Sequence, residues 1–118
     1  MTNEATGKNN SMDRLFDDVE EMPSFPGGAA ALMQYFASNI SYPVVAKELG
    51  IQGSMVVQFI VGKDGSISQA KVVKSVDPSL DNEAVRVVSS MLKWVPGMQN
   101  GQAVNVKYTI PVPFKLDE

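Results

Sequence analysis

The chain has 118 residues, 44% of them hydrophobic, which is length and material for one domain with one modest core. Ten Lys and Arg stand against thirteen Asp and Glu for a formal charge of −3, and no basic run interleaves with aromatics, so no nucleic-acid partner is expected. Cysteine and histidine are both absent, which removes disulfides, the thiolate nucleophile, the commonest transition-metal ligand and the base that titrates near neutral pH; no enzyme activity, cofactor or metal is expected.

Residues 1–18 are rich in Asn, Thr, Ser and Asp, with only Met12, Leu15 and Phe16 as sizeable apolar groups, too few to offset the entropy of ordering the segment. They read as a flexible leader, and the domain is placed at 19–118. No window approaches about eighteen uninterrupted apolar residues, and "MTNEATGKNN" has neither a basic start nor an apolar stretch, so neither a membrane span nor an export signal is predicted. The acids Asp17, Asp18, Glu20 and Glu21 read as a solvated run, since no calcium-loop spacing accompanies them.

"VEEMPSFPGG" (Val19–Gly28) combines acids, two prolines and a double glycine, and is predicted to run extended into a helix. Ala29, Leu32, Phe36 and Ile40 then recur on one helical face. In "SYPVVAKELG" the spacing predicts a second, short helix, with Pro43 in its first turn, Ser41 or Tyr42 at its entrance, and Gly50 as the left-handed residue that ends it. At barely two turns it needs tertiary packing, and Tyr42 is the natural anchor: its ring is apolar and its hydroxyl needs a partner.

"SMVVQFIV" (Ser54–Val61) is apolar on both faces and reads as an interior strand. "GKDGS" (Gly62–Ser66) carries the Asp-Gly signal of a hairpin, and "ISQAKVVKS" (Ile67–Ser75) returns as a more polar strand. A phosphate loop would need further glycines and a Lys-Ser or Lys-Thr ending, so the turn reading stands. Leu80, Ala84, Val87, Val88 and Met91 mark a long helix with Asp81 and Glu83 near its start. Trp94 reads as core packing, Val95–Gln102 as a loop, and Val104 to Phe114 as a strand whose even-numbered residues are apolar.

The connection from the second strand to the third passes through a helix, so those two run parallel without touching, and the apolar first strand belongs between them. The expected fold is α+β: a three-stranded antiparallel sheet in the order second, first, third, with the helices packed on one face and the third strand at an edge. Residues of one parity point their backbone groups to the same side of a strand, so Pro111 and Pro113 share a side with Asn105, Lys107 and Thr109. Two missing donors are intolerable towards a neighbouring strand, so that side faces outward. It is either plain protection against edge aggregation or a docking edge open over Asn105, Lys107 and Thr109.

The ordered set Tyr42-Pro43-x-x-Ala46, Gly50-Ile51-x-Gly53, the apolar strand with its Asp64-Gly65 hairpin, Leu80-Asp81 and Trp94-x-Pro96-Gly97 resembles the C-terminal domain of the TonB family, the energy transducers of Gram-negative bacteria. "EEMPSFPGG" is similar to the lead-in of the Bacteroidota branch, and the resemblance covers roughly Val19 to Leu116. It implies a periplasmic module whose parent is tethered by an N-terminal membrane helix and long linker to an inner-membrane proton-driven motor. The module would grip the TonB box of outer-membrane receptors by β-strand addition, driving nutrient import. The family's receptor-contacting segment carries over to Asn39, Ser41, Tyr42 and Pro43, although Ile40 and Ser41 depart from the Gln-rich version of some members. This sequence is expected to be an excised domain of such a parent. The alternative parent is a membrane signalling or assembly protein carrying the same strand-binding module, and an open edge also permits a homodimer by strand exchange.

Overall fold

A computed structural model describes residues 14–116. In chain order these form β1 (Leu15–Phe16), α1 (Gly28–Asn39), α2 (Val44–Glu48), β2 (Gly53–Val61), β3 (Ile67–Lys74), α3 (Pro78–Ser89), β4 (Gly97–Gln99) and β5 (Gln102–Phe114). The sheet runs β1-β5-β2-β3, and β4 pairs with the start of β5. The β3-β2-β5 core is the expected second-first-third order, with both neighbours antiparallel to β2. The whole is α+β with its helices on one face of the sheet.

Strand alternation divides β2 between two environments. Met55, Val57, Phe59 and Val61 are wholly buried, whereas Val56, Gln58 and Ile60 on the opposite face are partly exposed. Against the buried row pack Leu32 and Phe36 of α1, Ala46 of α2 and Leu80, Ala84, Val87 and Val88 of α3. From β5, the even-numbered Ile110, Val112 and Phe114 join the same core. Helix α3 has a side-chain cap: the Asp77 carboxylate accepts from the Ser79 N–H and hydroxyl, and Pro78 fills the first turn. Those bonds, the hydroxyl's first, hold the Asp77 carboxyl below the usual carboxylate range.

Trp94 closes one end of this core. It is 4% exposed, with the rings of Phe25, Phe59 and Tyr108 packed edge-on at 5.7, 5.2 and 5.7 Å. Its indole N–H donates to the Met91 sulfur at 3.2 Å, and its backbone N–H donates to the Gly65 carbonyl at 2.8 Å. The tryptophan thus joins the lead-in, β2, β5 and the β2–β3 turn, which is the packing role expected for it.

Several expectations need correction. The sheet has five strands among the described residues, not three. Part of the expected leader is structured: Leu15 and Phe16 pair in parallel with Asn105 and Val106, so β5 is flanked by β1 rather than standing bare at the edge. A two-residue strand has no periodicity of its own and exists because β5 offers it partners. The remainder of that leader, residues 1–13, lies outside the described residues. The segment read as a loop contains β4, turned back on β5 through Asn100 and Gly101, both at positive φ (52° and 77°). That Asn-Gly pair is the signature of a two-residue hairpin. Finally, Pro43 stands just before α2 as its cap, with φ −61° and ψ 137°, rather than inside the first turn.

Gly65 supplies a direct check on the packing of the β2–β3 turn. It has φ +87°, and a Cβ there would lie deep inside the van der Waals radius of the Trp94 carbonyl oxygen. Gly101 has φ +77° but nothing within 4 Å of an added Cβ. Gly65→Ala is predicted to destabilise the domain by about 2–4 kcal/mol in urea unfolding, and Gly101→Ala by only about 1 kcal/mol, the left-handed penalty alone. Equal losses would show that the turn does not rest on the Trp94 backbone.

Candidate functional site

Among the described residues a strand could add along β3 or along the part of β5 beyond β1, and the two differ. The β3 edge is interrupted: Gln69 has a positive φ of 52°, the register slips between Gln58 and Ile60, and Lys71 and Lys74 lie along the strand. Bulges and lysines are the usual means of making an edge unattractive. The β5 edge follows an unbroken register, Val61 on Val106 through Gly53 on Phe114. Pro111 and Pro113 stand opposite Val56 and Ser54 inside that ladder. Because neither can donate, the odd-numbered residues of β5 turn their backbone groups away from β2, and the even-numbered ones make the ladder.

From Asn105 to Pro113 the outward side of β5 therefore has donors only at Asn105, Lys107 and Thr109. The first two are engaged. In a parallel ladder one residue bonds to the two that flank its partner, so the register of Leu15 on Asn105 and Phe16 on Val106 uses the outward groups of Asn105 and Lys107. The Asn105 side chain is also occupied, its Oδ1 accepting from the Lys63 N–H at 2.8 Å and bracing the β2–β3 turn. Lys107 Nζ lies 3.2 Å from Asp17 Oδ1, with the two side chains 40% and 76% exposed, so solvent screens most of that attraction. Thr109 is exposed, and among the described residues no strand stands opposite its outward side in the sheet.

The second group of sequence-predicted residues, Asn39, Ser41, Tyr42 and Pro43, forms the connection between α1 and α2. Tyr42 anchors it as expected: the hydroxyl donates to the Ile51 carbonyl, and the ring packs edge-on against Phe114 at 5.6 Å. Burial pushes the Tyr42 phenol up from its ordinary value. Sequence reasoning missed the clasp from α3. Arg86 is bound twice to Glu83, Nε to Oε1 at 2.8 Å and Nη2 to Oε2 at 2.7 Å, and the same Nη2 donates to the Asn39 carbonyl at 2.9 Å. Glu83 Oε2 in turn accepts from the Ser41 N–H at 2.6 Å. The i, i+3 spacing of Glu83 and Arg86 was readable as a helix-surface pair; its reach to a segment more than forty positions away was not.

The two groups do not share one site. Of the seven residues only Tyr42 lines the nearby depression of about 310 Å³, with Met33, Phe36, Ala37, Ile40, Pro113 and Lys115. An extended segment following the outer edge of β5 past Thr109 and Pro111 would run into it. Asn105 and Lys107 lie at the other end of that path, under β1.

The family profile described as Gram-negative bacterial TonB protein C-terminal matches residues 38–116, which include all seven of these positions. The chain belongs to the TonB C-terminal family. It is 32% identical over 113 residues to Protein TonB of Haemophilus influenzae, covering 92% of this chain and 41% of the relative. It is likewise 32% identical over 83 residues to Protein TonB of Helicobacter pylori J99, covering 70% of this chain and 28% of the relative. It spans less than half the length of both. The solved C-terminal domain of Helicobacter pylori TonB superimposes with a TM-score of 0.59 at 26% identity, over 75% of this chain and 94% of that one. Strand β1 and the lead-in precede the residues that the TonB profile matches. No helix among the described residues is long and apolar enough to cross a membrane.

The Glu83 clasp makes the Asn39–Pro43 segment sensitive to acid. The hydrogen bonds from Arg86, and secondarily that from Ser41, hold the Glu83 carboxyl below its ordinary value of 4.5 despite partial burial. A depressed carboxyl contributes stability that is complete above the unfolded value and is lost as pH falls through the folded one. The Ser41 amide proton resonance is predicted to titrate with a midpoint below 4.5, and to lose that titration in Glu83→Gln while the resonances of β2 stay put. A Ser41 amide indifferent to both changes would show that α3 does not hold this segment.

Proposed function

We propose that this domain binds the TonB box of an outer-membrane receptor as a strand added to the outer edge of β5, in the periplasm, and transmits to it the pull of an inner-membrane proton-driven motor. The longer TonB relatives supply the comparison for the parts of such a transducer beyond this domain. The observation that carries the reading is the polarity of β5: Pro111 and Pro113 sit within an unbroken ladder, and past Lys107 no strand among the described residues pairs with the outward backbone groups. Thr109 offers a donor and an acceptor there, and the two prolines offer acceptors. The run leads to the depression beside Tyr42, where an apolar side chain of the incoming segment can be buried.

About four main-chain hydrogen bonds at a net ~0.5–1.5 kcal/mol each, offset by the ordering of a flexible peptide, give an affinity in the micromolar range or weaker. Recognition of this kind depends on backbone more than on side chains. In titrations with a synthetic TonB-box peptide, Thr109→Ala is predicted to bind within about twofold of the parent, whereas Thr109→Pro, which deletes the unpaired donor, loses at least about tenfold. Circular dichroism checks that both remain folded, since the Thr109 N–H has no partner in the ladder with β2. A folded Thr109→Pro that binds like the parent would place the peptide on another surface. Concentration-dependent association of the parent that Thr109→Pro abolishes would instead mark the edge as a contact between copies.

A further inference from the structure

We infer that β1 is a built-in occupant of the receptor edge: Leu15 and Phe16 hold its donor-rich half, and an incoming strand must displace them to pair fully. This rests on the strand-addition reading above. Between Asn105 and Pro113 the outward donors of β5 are three, those of Asn105, Lys107 and Thr109, because Pro111 and Pro113 have none. Strand β1 takes the first two through its register on Asn105 and Val106. A receptor segment that leaves β1 in place obtains one donor; one that removes it obtains three.

The contact is built to be both present and reversible. Asp17 reaches Lys107 on β5 at 3.2 Å, a directed interaction beyond the ladder, while Arg14 lies over the Phe16 ring at 4.5 Å within the segment itself. Both are at the surface, and Leu15 remains 44% exposed, so little apolar area is buried. Just downstream the chain is fastened again: the Glu20 N–H donates to Gln99 Oε1 at 2.9 Å, the Asn100 N–H to Glu20 Oε1 at 2.9 Å, and Glu21 bridges Met98. Asp17 to Val19 is the short stretch between the removable strand and this anchor. Tethered there, β1 returns to the edge at high effective concentration, which lowers the apparent affinity for any competitor by the fraction of molecules with the edge open.

The test uses the full chain, isotopically labelled, with a synthetic TonB-box peptide as probe and two variants. Phe16→Pro deletes the N–H that β1 gives to β5, and Asp17→Lys sets a like charge against Lys107. Phe16→Pro is predicted to speed exchange of the Lys107 amide and to tighten peptide binding roughly threefold to tenfold; Asp17→Lys moves both in the same direction by less. If the Lys107 amide exchanges alike in parent and variants, or if all three bind the peptide equally well, β1 does not occupy the edge in competition and the inference is overturned. If the Lys107 amide is released but no form binds the peptide, strand addition itself fails, and the competition with it, while the pairing of β1 on β5 stands.

Discussion

The antiparallel ladder between β2 and β5 is the constraint on which the rest of the domain depends. It runs from Gly53 on Phe114 to Val61 on Val106 without a break. Its buried face supplies Met55, Val57, Phe59 and Val61 from one strand and Ile110, Val112 and Phe114 from the other. The helices have nowhere else to bury their apolar sides, and α2, five residues long, could not persist in water without that surface. The ladder also decides which way the backbone of β5 faces. Once the even-numbered residues are committed to β2, the odd-numbered ones must face outward, prolines included.

That commitment makes the outer edge uneven, and the unevenness has a structural logic. Acceptors continue along the whole side, but donors stop at Thr109. The donor-rich end lies next to the β2–β3 turn, which Asn105 braces through the Lys63 N–H and which rests on Trp94 through Gly65. The donor-poor end lies beside the α1–α2 connection, held by Tyr42 on Ile51 and by the Glu83–Arg86 clasp. Both ends are thus positioned by rigid neighbours, as a docking edge requires. The same unevenness explains why β1 sits where it does: a two-residue strand can pair in full only where donors and acceptors alternate.

Much of this was legible in the sequence because it is local. The helical spacing of Leu32 and Phe36, that of Leu80, Ala84, Val87 and Val88, the alternation along Val104–Phe114 and the Asp64-Gly65 turn each declare themselves within a few residues, and the pattern of Tyr42-Pro43, Gly50 and Trp94-x-Pro96-Gly97 already resembled the family. The outward parity of Pro111 and Pro113 needed only geometry. The rest is set by distant partners or masked by neighbours. Strand β4 has a strong hairpin signal in Asn100-Gly101, but the neighbouring Pro96 and Gly97 give the stretch the look of an irregular loop. Strand β1 could not have been found from Leu15 and Phe16, whose conformation is imposed by β5. The reach of Glu83 and Arg86 to Ser41 and Asn39 depends on how α3 lies against α1, which no local pattern encodes.

The central claim is the alternating polarity of β5, and residue-resolved amide hydrogen exchange on the uncomplexed chain reads it directly. Amides that open only with the ladder exchange at rates near those of global unfolding, whereas a solvated edge amide has almost no protection. The account predicts slow exchange at Val106, Tyr108, Ile110 and Val112, fast exchange at Thr109, and an intermediate rate at Lys107, protected only as long as β1 stays paired. Protection at Thr109 equal to that at Ile110 would contradict it, because the outward side of β5 would then already be filled.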